Sequence, residues 1–126
     1  MPIHVTPREQ ADYIVNTYRV FHQVQGFLSE AYPFSTGITG CIHRDARSRF
    51  PDGTFIQTSR VIGVGEHGAY GKYVDTISGH RYAILSFEDA QAENAWTSFR
   101  KYFEYNAAYF DSLKAQIADS SARRMA

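Results

Sequence analysis

Two runs rich in apolar and β-branched residues, Tyr70–Ile77 and His80–Phe87, are separated only by Ser78-Gly79. A two-residue loop of this kind is typical of a β-hairpin, so the sequence predicts two antiparallel strands. Apolar residues fall on both faces of this hairpin. We therefore expect much of both sides of the sheet to be covered, with helices on one side and room for a partner on the other.

The hairpin loop also predicts the register of the two strands. A two-residue loop places Ile77 opposite His80. Tyr73 and Tyr82 would then share one face of the hairpin, while Arg81 would lie on the other, because successive side chains of a strand alternate between faces.

The N-terminal part of the chain predicts a helix. Thr6 can act as the N-cap, Pro7 suits the first helical position, and Glu9 completes a capping box. We expect this helix to reach about Ala31. Its apolar residues form two stripes, and the second stripe needs a partner of its own.

A second helix is expected from about Glu88 to Ala118, with Ser86 and Asp89 as capping signals. Its apolar positions alternate in steps of four and three, which is typical of a coiled-coil seam. Two interpretations remain open, antiparallel packing on the first helix and a homodimer interface, and both can hold at once. The residues of this seam are Trp96, Phe99, Phe103, Asn106, Phe110 and Leu113.

Between the helices, strands are expected at Ile38–His43 and Thr54–Val64, in addition to the hairpin. Tyr32–Gly40 is interpreted as a connection, and Arg44–Gly53 as a polar loop that ends in a tight turn. The sequence therefore predicts one α+β domain over residues 1–126. It would have an antiparallel sheet of about three to four strands, packed with an N-terminal helix and a long C-terminal helix.

The charge balance and the single cysteine limit the functional classes. Thirteen basic residues balance thirteen acidic ones, so net charge does not favour nucleic acid as the partner. No internal disulfide can form, and no signal peptide or membrane span is evident, which predicts a cytoplasmic protein.

Few motifs point to catalysis or to a cofactor. Gly63-Val64-Gly65-Glu66-His67-Gly68 matches a dinucleotide-binding pattern, but a strand rather than a helix is expected after it. Cys41 and His43 are weak candidates for a metal site or a thiol catalyst. No cluster of carboxylates stands out. The sequence therefore favours a protein that is not an enzyme and has no cofactor.

A basic cluster offers the best candidate surface for binding a partner. Three of its arginines lie in the polar loop, and two further arginines, a lysine and two tyrosines lie on the predicted sheet. Such a surface can hold a protein partner, or it can grip phosphates while its tyrosines stack on bases. The alternative, which the neutral net charge favours over phosphate binding, is a solvated turn whose charges pair locally with Asp45 and Asp52. Its residues are Arg44, Arg47, Arg49, Arg60, Lys72, Tyr70, Tyr73 and Arg81.

The segment Arg49–Val61, RFPDGTFIQTSRV, followed by the hairpin Tyr73–Leu85, resembles a pattern in small orphan proteins of bacteriophages and mobile elements. Some of these proteins resemble anti-CRISPR and other anti-defence inhibitors. The resemblance implies an inhibitor that binds a bacterial host protein complex in the host cytoplasm. The alternative is a dimeric protein that binds a small phosphate-bearing ligand or nucleic acid.

Overall fold

The computed structural model describes residues 5–125, with side chains through residue 119. The described residues form an α+β fold, as predicted, with a larger sheet than expected. The elements are α1 (Pro7–Tyr18), β1 (Gly26–Phe34), β2 (Gly37–His43), β3 (Thr54–Gln57), β4 (Val61–His67), β5 (Gly71–Thr76), β6 (Arg81–Ile84), α2 (Ala90–Tyr105) and α3 (Ala107–Met125).

Helix α1 starts as predicted and ends much earlier. Thr6 caps it by accepting a hydrogen bond from the Glu9 N–H at 3.1 Å. Arg19 ends it in the left-handed conformation, with φ of 55°. The prediction of helix to Ala31 is wrong because Gly26–Phe34 forms β1. Its first four residues are buried within the sheet, and periodicity alone does not distinguish such a buried apolar run from a helix.

The sheet has six strands in the order β3-β2-β1-β6-β5-β4. Neighbouring strands are antiparallel except β1 and β6, which are parallel, so the sheet is mixed. The single strand predicted at Thr54–Val64 is divided into β3 and β4, and these two strands form the opposite edges of the sheet.

The short link between the two edges requires the sheet to curl. Four residue steps from Gln57 to Val61 span at most about 14 Å, whereas the edges of a flat six-stranded sheet are about 24 Å apart. Backbone hydrogen bonds close the gap. The Thr58 N–H donates to the Ile38 carbonyl at 2.9 Å, and the Val61 N–H donates to the Thr36 carbonyl at 2.8 Å.

The β5–β6 hairpin is present, but its register differs from the prediction by one residue. Thr76 pairs with His80 through a 2.9 Å backbone hydrogen bond, which leaves a three-residue loop. Gly79 occupies this loop with φ of 86°, a conformation that favours glycine. Tyr73 therefore lies opposite Ala83 and Asp75 opposite Arg81. This register moves Arg81 to the face that carries Tyr73.

The C-terminal helix is divided where the sequence predicted continuity. Asp89 caps α2, as expected, by accepting from the Ala92 N–H at 2.8 Å. Asn106 separates α2 from α3. The rings of Phe103 and Phe110 lie 4.6 Å apart, although seven residues of straight helix rise by about 10 Å. The two helices therefore bend towards each other on the side of these rings.

Apolar clusters lie on both faces of the sheet. On one face, Ala11 and Val15 of α1 pack with Phe27 and Ala83. On the other face, α2 and α3 contribute their aromatic residues to the larger cluster. Helices thus cover both faces, where the sequence suggested helices on only one. Among the described residues, no helix is both long and apolar enough to cross a bilayer.

Candidate binding site

A network of hydrogen bonds and ion pairs holds the loop between β2 and β3, residues 44–53, here called the arginine loop. Asp45 is its buried centre, and the side chain has no solvent exposure. Its carboxylate accepts hydrogen bonds from the Gln25 side-chain amide and from three backbone N–H groups of the loop. These belong to Arg47 (3.3 Å), Arg49 (2.8 Å) and Phe50 (3.2 Å).

These hydrogen bonds keep Asp45 ionised in a buried position. Burial by itself would raise the pKa of Asp45, but the four donated hydrogen bonds outweigh it and lower the pKa. The Ala46 N–H also donates to the Gln25 carbonyl at 2.7 Å. Asp45 and Ala46 therefore attach the buried side of the arginine loop to Gln25, the residue directly before β1.

A second carboxylate, Asp52, fastens the other end of the loop to α1. It accepts from the Arg44 N–H at 2.8 Å and from the Arg8 guanidinium at 2.6 Å. The hydrogen bond from Arg44 is the main reason that the pKa of Asp52 is lowered, and Arg8 adds to it. Asp12 completes the network through ion pairs with Arg8 and Arg44. The backbone of the loop is thus fixed at both ends.

The predicted loop arginines have different environments. Arg44 is half-buried and pairs with Asp12, so its charge is used within the chain. Arg47 and Arg49 are exposed. The Arg49 guanidinium lies 5.4 Å from the ring centre of Phe50 and 3.9 Å from Asp45. Among the described residues, Arg47 has no ion pair.

The predicted sheet residues Tyr70, Tyr73 and Arg81 form a contact cluster of their own. Arg81 donates to both oxygens of Asp75, at 2.7 and 3.0 Å, and to the Tyr70 hydroxyl at 3.0 Å. The hydrogen bonds to Asp75 are the main cause of the raised pKa of Arg81. Its guanidinium also lies over the Tyr73 ring, 3.9 Å from the centre.

Neither of these tyrosine rings is free to stack on a base. Tyr70 is buried, and its ring stacks on His67 with centres 4.1 Å apart. One face of Tyr73 is covered by Arg81, and its phenol lies close against Gly65. The two rings therefore serve to position Arg81.

Lys72 and Arg60 do not join the arginine loop. Lys72 forms an ion pair with Glu66 at 3.6 Å on the β4–β5 pair. Arg60 lies just before β4, and it lines a separate cavity beside Phe99 and Tyr102. The predicted basic surface is thus divided among at least two places on the molecule.

A cavity of about 490 Å³ lies where the arginine loop meets the hairpin and the connection from α1 to β1. Here it is called the end cavity. Arg47 lines one side, Asp75 and Arg81 line another, and residues 21–25 complete the wall. The site therefore unites two of the predicted arginines that are distant in sequence.

The weak metal candidates Cys41 and His43 have other partners. Cys41 contacts Glu30 at 3.7 Å, and burial is the main cause of its raised pKa. His43 lies 2.7 Å from the Ser29 hydroxyl, and burial lowers its pKa. No group of three or more potential metal ligands occurs among the described residues.

The contact between Ser29 and His43 has the length expected of a nucleophile and its base. Both side chains are buried, at 5% and 8% exposure, and a substrate would have no direct access to them. We interpret the pair as two buried polar groups that satisfy each other. The sequence missed this pair because Ser29 fell within the predicted helix.

The residues of the predicted seam lie against the sheet of the same chain. Trp96, Phe103 and Phe110 are buried in the larger cluster, and Phe99 and Leu113 pack against it. Asn106 ends α2 and donates through its side chain to the Tyr102 carbonyl at 2.8 Å. The neighbouring tyrosines Tyr102, Tyr105 and Tyr109 are exposed.

Sequence reasoning missed Gln25, whose side-chain amide donates to Asp45 in the candidate site. It lies within the segment predicted as helix, so nothing in the sequence connected it with Asp45. The only available signal was Asp45 itself, an acidic residue followed by Arg47 and Arg49, which indicated local pairing of charges.

The chain was compared with protein-family models, with curated proteins and with solved structures. No match was found in any of the three comparisons. Its function is therefore inferred from the arginine loop and the residues around it.

Proposed function

We propose that the protein is a non-enzymatic binding protein that docks directly on a protein partner through its arginine loop. The observation that supports this most is the buried Asp45, which fixes the loop from inside while Arg47 and Arg49 face solvent. A loop that is already ordered loses little conformational entropy on binding. Arginine is also among the most frequent energetic anchors of protein interfaces.

The charge of this loop favours an acidic partner surface. The loop carries three arginines, Arg44, Arg47 and Arg49, and two carboxylates, Asp45 and Asp52, so one positive charge is left over within it. A carboxylate of a partner can pair with the Arg47 guanidinium in two-point geometry. Electrostatic attraction of this kind accelerates encounter and selects partners of the opposite charge.

A more specific proposal is that the partner is a bacterial host defence complex, which this protein inhibits as anti-CRISPR proteins do. Its support is the resemblance of Arg49–Val61 and Tyr73–Leu85 to small phage and mobile-element proteins. The first of these segments begins in the arginine loop, and the second contains Asp75 and Arg81 of the end cavity. The second segment and the arginine loop, in which the first segment begins, therefore meet at the end cavity.

The test compares how much partner protein the wild type and a charge-reversed variant capture. Tagged wild-type protein and the double variant R47E/R49E are incubated with bacterial lysate, and the captured proteins are quantified by mass spectrometry. We expect the wild type to recover one protein in stoichiometric amount. The variant should lose at least about tenfold in recovery, because two charge-assisted contacts are replaced by repulsion.

The matched control is the double variant R60E/K101E, which changes the net charge equally on residues outside the arginine loop. Its recovery should equal that of the wild type. Circular dichroism spectra should show that both variants are folded. Equal recovery by R47E/R49E, or loss by the control alone, would place the binding surface elsewhere.

A further inference from the structure

The end cavity combines one preorganised arginine with one free arginine. Its volume of about 490 Å³ falls within the range of small-ligand pockets, about 300 to 1,000 Å³. The walls come from three separate parts of the chain, namely residues 21–25, the arginine loop and the β5–β6 hairpin. It is therefore a product of the tertiary structure and is concave and polar.

Arg81 presents fixed hydrogen-bond donors at this cavity. Three of its five N–H donors are used by Asp75 and Tyr70, which leaves two for another acceptor. The Tyr73 ring supports the guanidinium from one side. The geometry of the remaining donors is thus set before any ligand arrives.

The positive charge around Arg81 exceeds what Asp75 neutralises. Lys114 of α3 also approaches Asp75, at 3.6 Å, so a single carboxylate faces two cations. Arg47 adds a further cation at the cavity wall and has no ion pair among the described residues. The lining therefore has an excess of positive charge.

His80, directly after the hairpin loop, is close enough to the arginine loop to be affected by its charges. Burial is the main cause of its lowered pKa; the charges of Arg47 and Arg49 lower it further, and the charge of Asp45 opposes them. The backbone N–H of Arg47 is tied to Asp45, so the root of this side chain is fixed beside the cavity. An anion placed here would meet one rigid and one adaptable guanidinium.

We infer that the end cavity binds a small oxyanion, a phosphate or carboxylate group, between Arg47 and Arg81. Guanidinium groups match the oxygen spacing of both kinds of anion. This site requires no protein partner and so goes beyond the proposed docking function. Arg47 contributes to both functions, whereas Arg49 lies outside the lining of the cavity.

The experiment is a titration of the ¹⁵N-labelled protein with sodium pyrophosphate and, separately, with sodium citrate, followed by amide chemical shifts. Sodium chloride at matched ionic strength measures the effect of salt. We expect saturable shifts confined to residues 22–25, 46–47 and 79–81. Saturation with pyrophosphate only indicates a phosphate ligand, and saturation with citrate only indicates a carboxylate ligand; either result supports the site.

Two single variants from the same loop locate the anion. R47Q should weaken binding by about tenfold or more, because it removes a charge-assisted contact. R49Q removes the same charge from a side chain outside the cavity, and it should change the affinity by less than about twofold. Equal weakening in both variants, or no saturable shift with either anion, would overturn the inference.

The anion titration and the partner capture can fail independently, so each tests its own proposal. Loss of partner capture in R47E/R49E together with no anion binding would refute only the cavity. Anion binding that depends on Arg47, with partner capture that does not change, would refute only the docking surface.

Discussion

At the scale of single residues, Asp45 is the buried centre of the arginine loop. Its carboxylate joins the arginine loop to Gln25 and orders three backbone N–H groups at once. A neutral acceptor in its place would have weaker hydrogen bonds, since those to a charged group are about twice as strong. The backbone positions of the exposed arginines therefore depend on Asp45, whose side chain is buried and out of reach of a partner.

The first prediction concerns the substitution D45N. The amide keeps one acceptor oxygen but turns an N–H₂ group towards backbone donors, so the free energy of unfolding should fall by about 1 to 3 kcal/mol at pH 7. Urea unfolding at several pH values measures this difference. Because the pKa of Asp45 is lowered by folding, its stabilisation is present above the unfolded pKa of 3.8 and is lost as pH falls through the folded value.

The difference between wild type and D45N should accordingly shrink below pH 3.8. A protonated aspartic acid and an asparagine both carry no charge and both present a donor. A difference that stays constant across this pH range would mean that the charge of Asp45 does not stabilise the loop.

At the scale of elements, the kinked α2–α3 pair shows how an aromatic seam is used within one chain. The bend at Asn106 lets Phe103 and Phe110 meet over the curled sheet. The exposed tyrosines lie beside this contact, and Tyr105 is 91% exposed. Packing on the sheet explains the four-and-three spacing, and self-association remains a separate prediction.

The second prediction compares F103A with Y105A. Removing the buried Phe103 ring should lower the free energy of unfolding by about 3 to 5 kcal/mol, whereas Y105A should change it by less than about 0.5 kcal/mol. Thermal or urea unfolding at protein concentrations that differ by a factor of about 100 completes the test. A midpoint that does not change with concentration means that the seam acts within one chain, and a dimer would make it rise.

At the scale of the whole molecule, the curl of the sheet depends on the three residues that separate β3 from β4. Gly37 allows this approach: a Cβ atom added there would lie 2.7 Å from the Thr58 carbonyl oxygen. Thr58 is itself fixed by two hydrogen bonds to Ile38. The junction between the two edges of the sheet, where Gly37 meets Thr58, therefore tolerates little extra volume.

The third prediction is that G37A strains this junction between the two edges of the sheet. The free energy of unfolding should fall by about 1 to 3 kcal/mol. Hydrogen exchange at the Val61 N–H, which donates to the Thr36 carbonyl across the junction, should accelerate. G68A is the matched control, since no atom lies within 4 Å of the added methyl group. Similar stability of the two variants would show that the junction is not tightly packed.

Local signals in the sequence determined the beginnings of two helices, the hairpin between β5 and β6, and the polar loop that displays Arg47 and Arg49. Caps and turns involve residues within about four positions of each other, so sequence patterns report them directly. The α+β class followed from the same signals. The exposed arginines of the candidate site could therefore be predicted.

Only the tertiary structure decided the rest. Gly26–Phe34 is a strand because β2 and β6 flank it, and residues 54–64 divide because the sheet curls. A one-residue change in hairpin register brought Arg81 onto Tyr73, and the short α1 released Gln25 to reach Asp45. Each of these outcomes depends on packing between segments distant in sequence, and such packing overrides local preference.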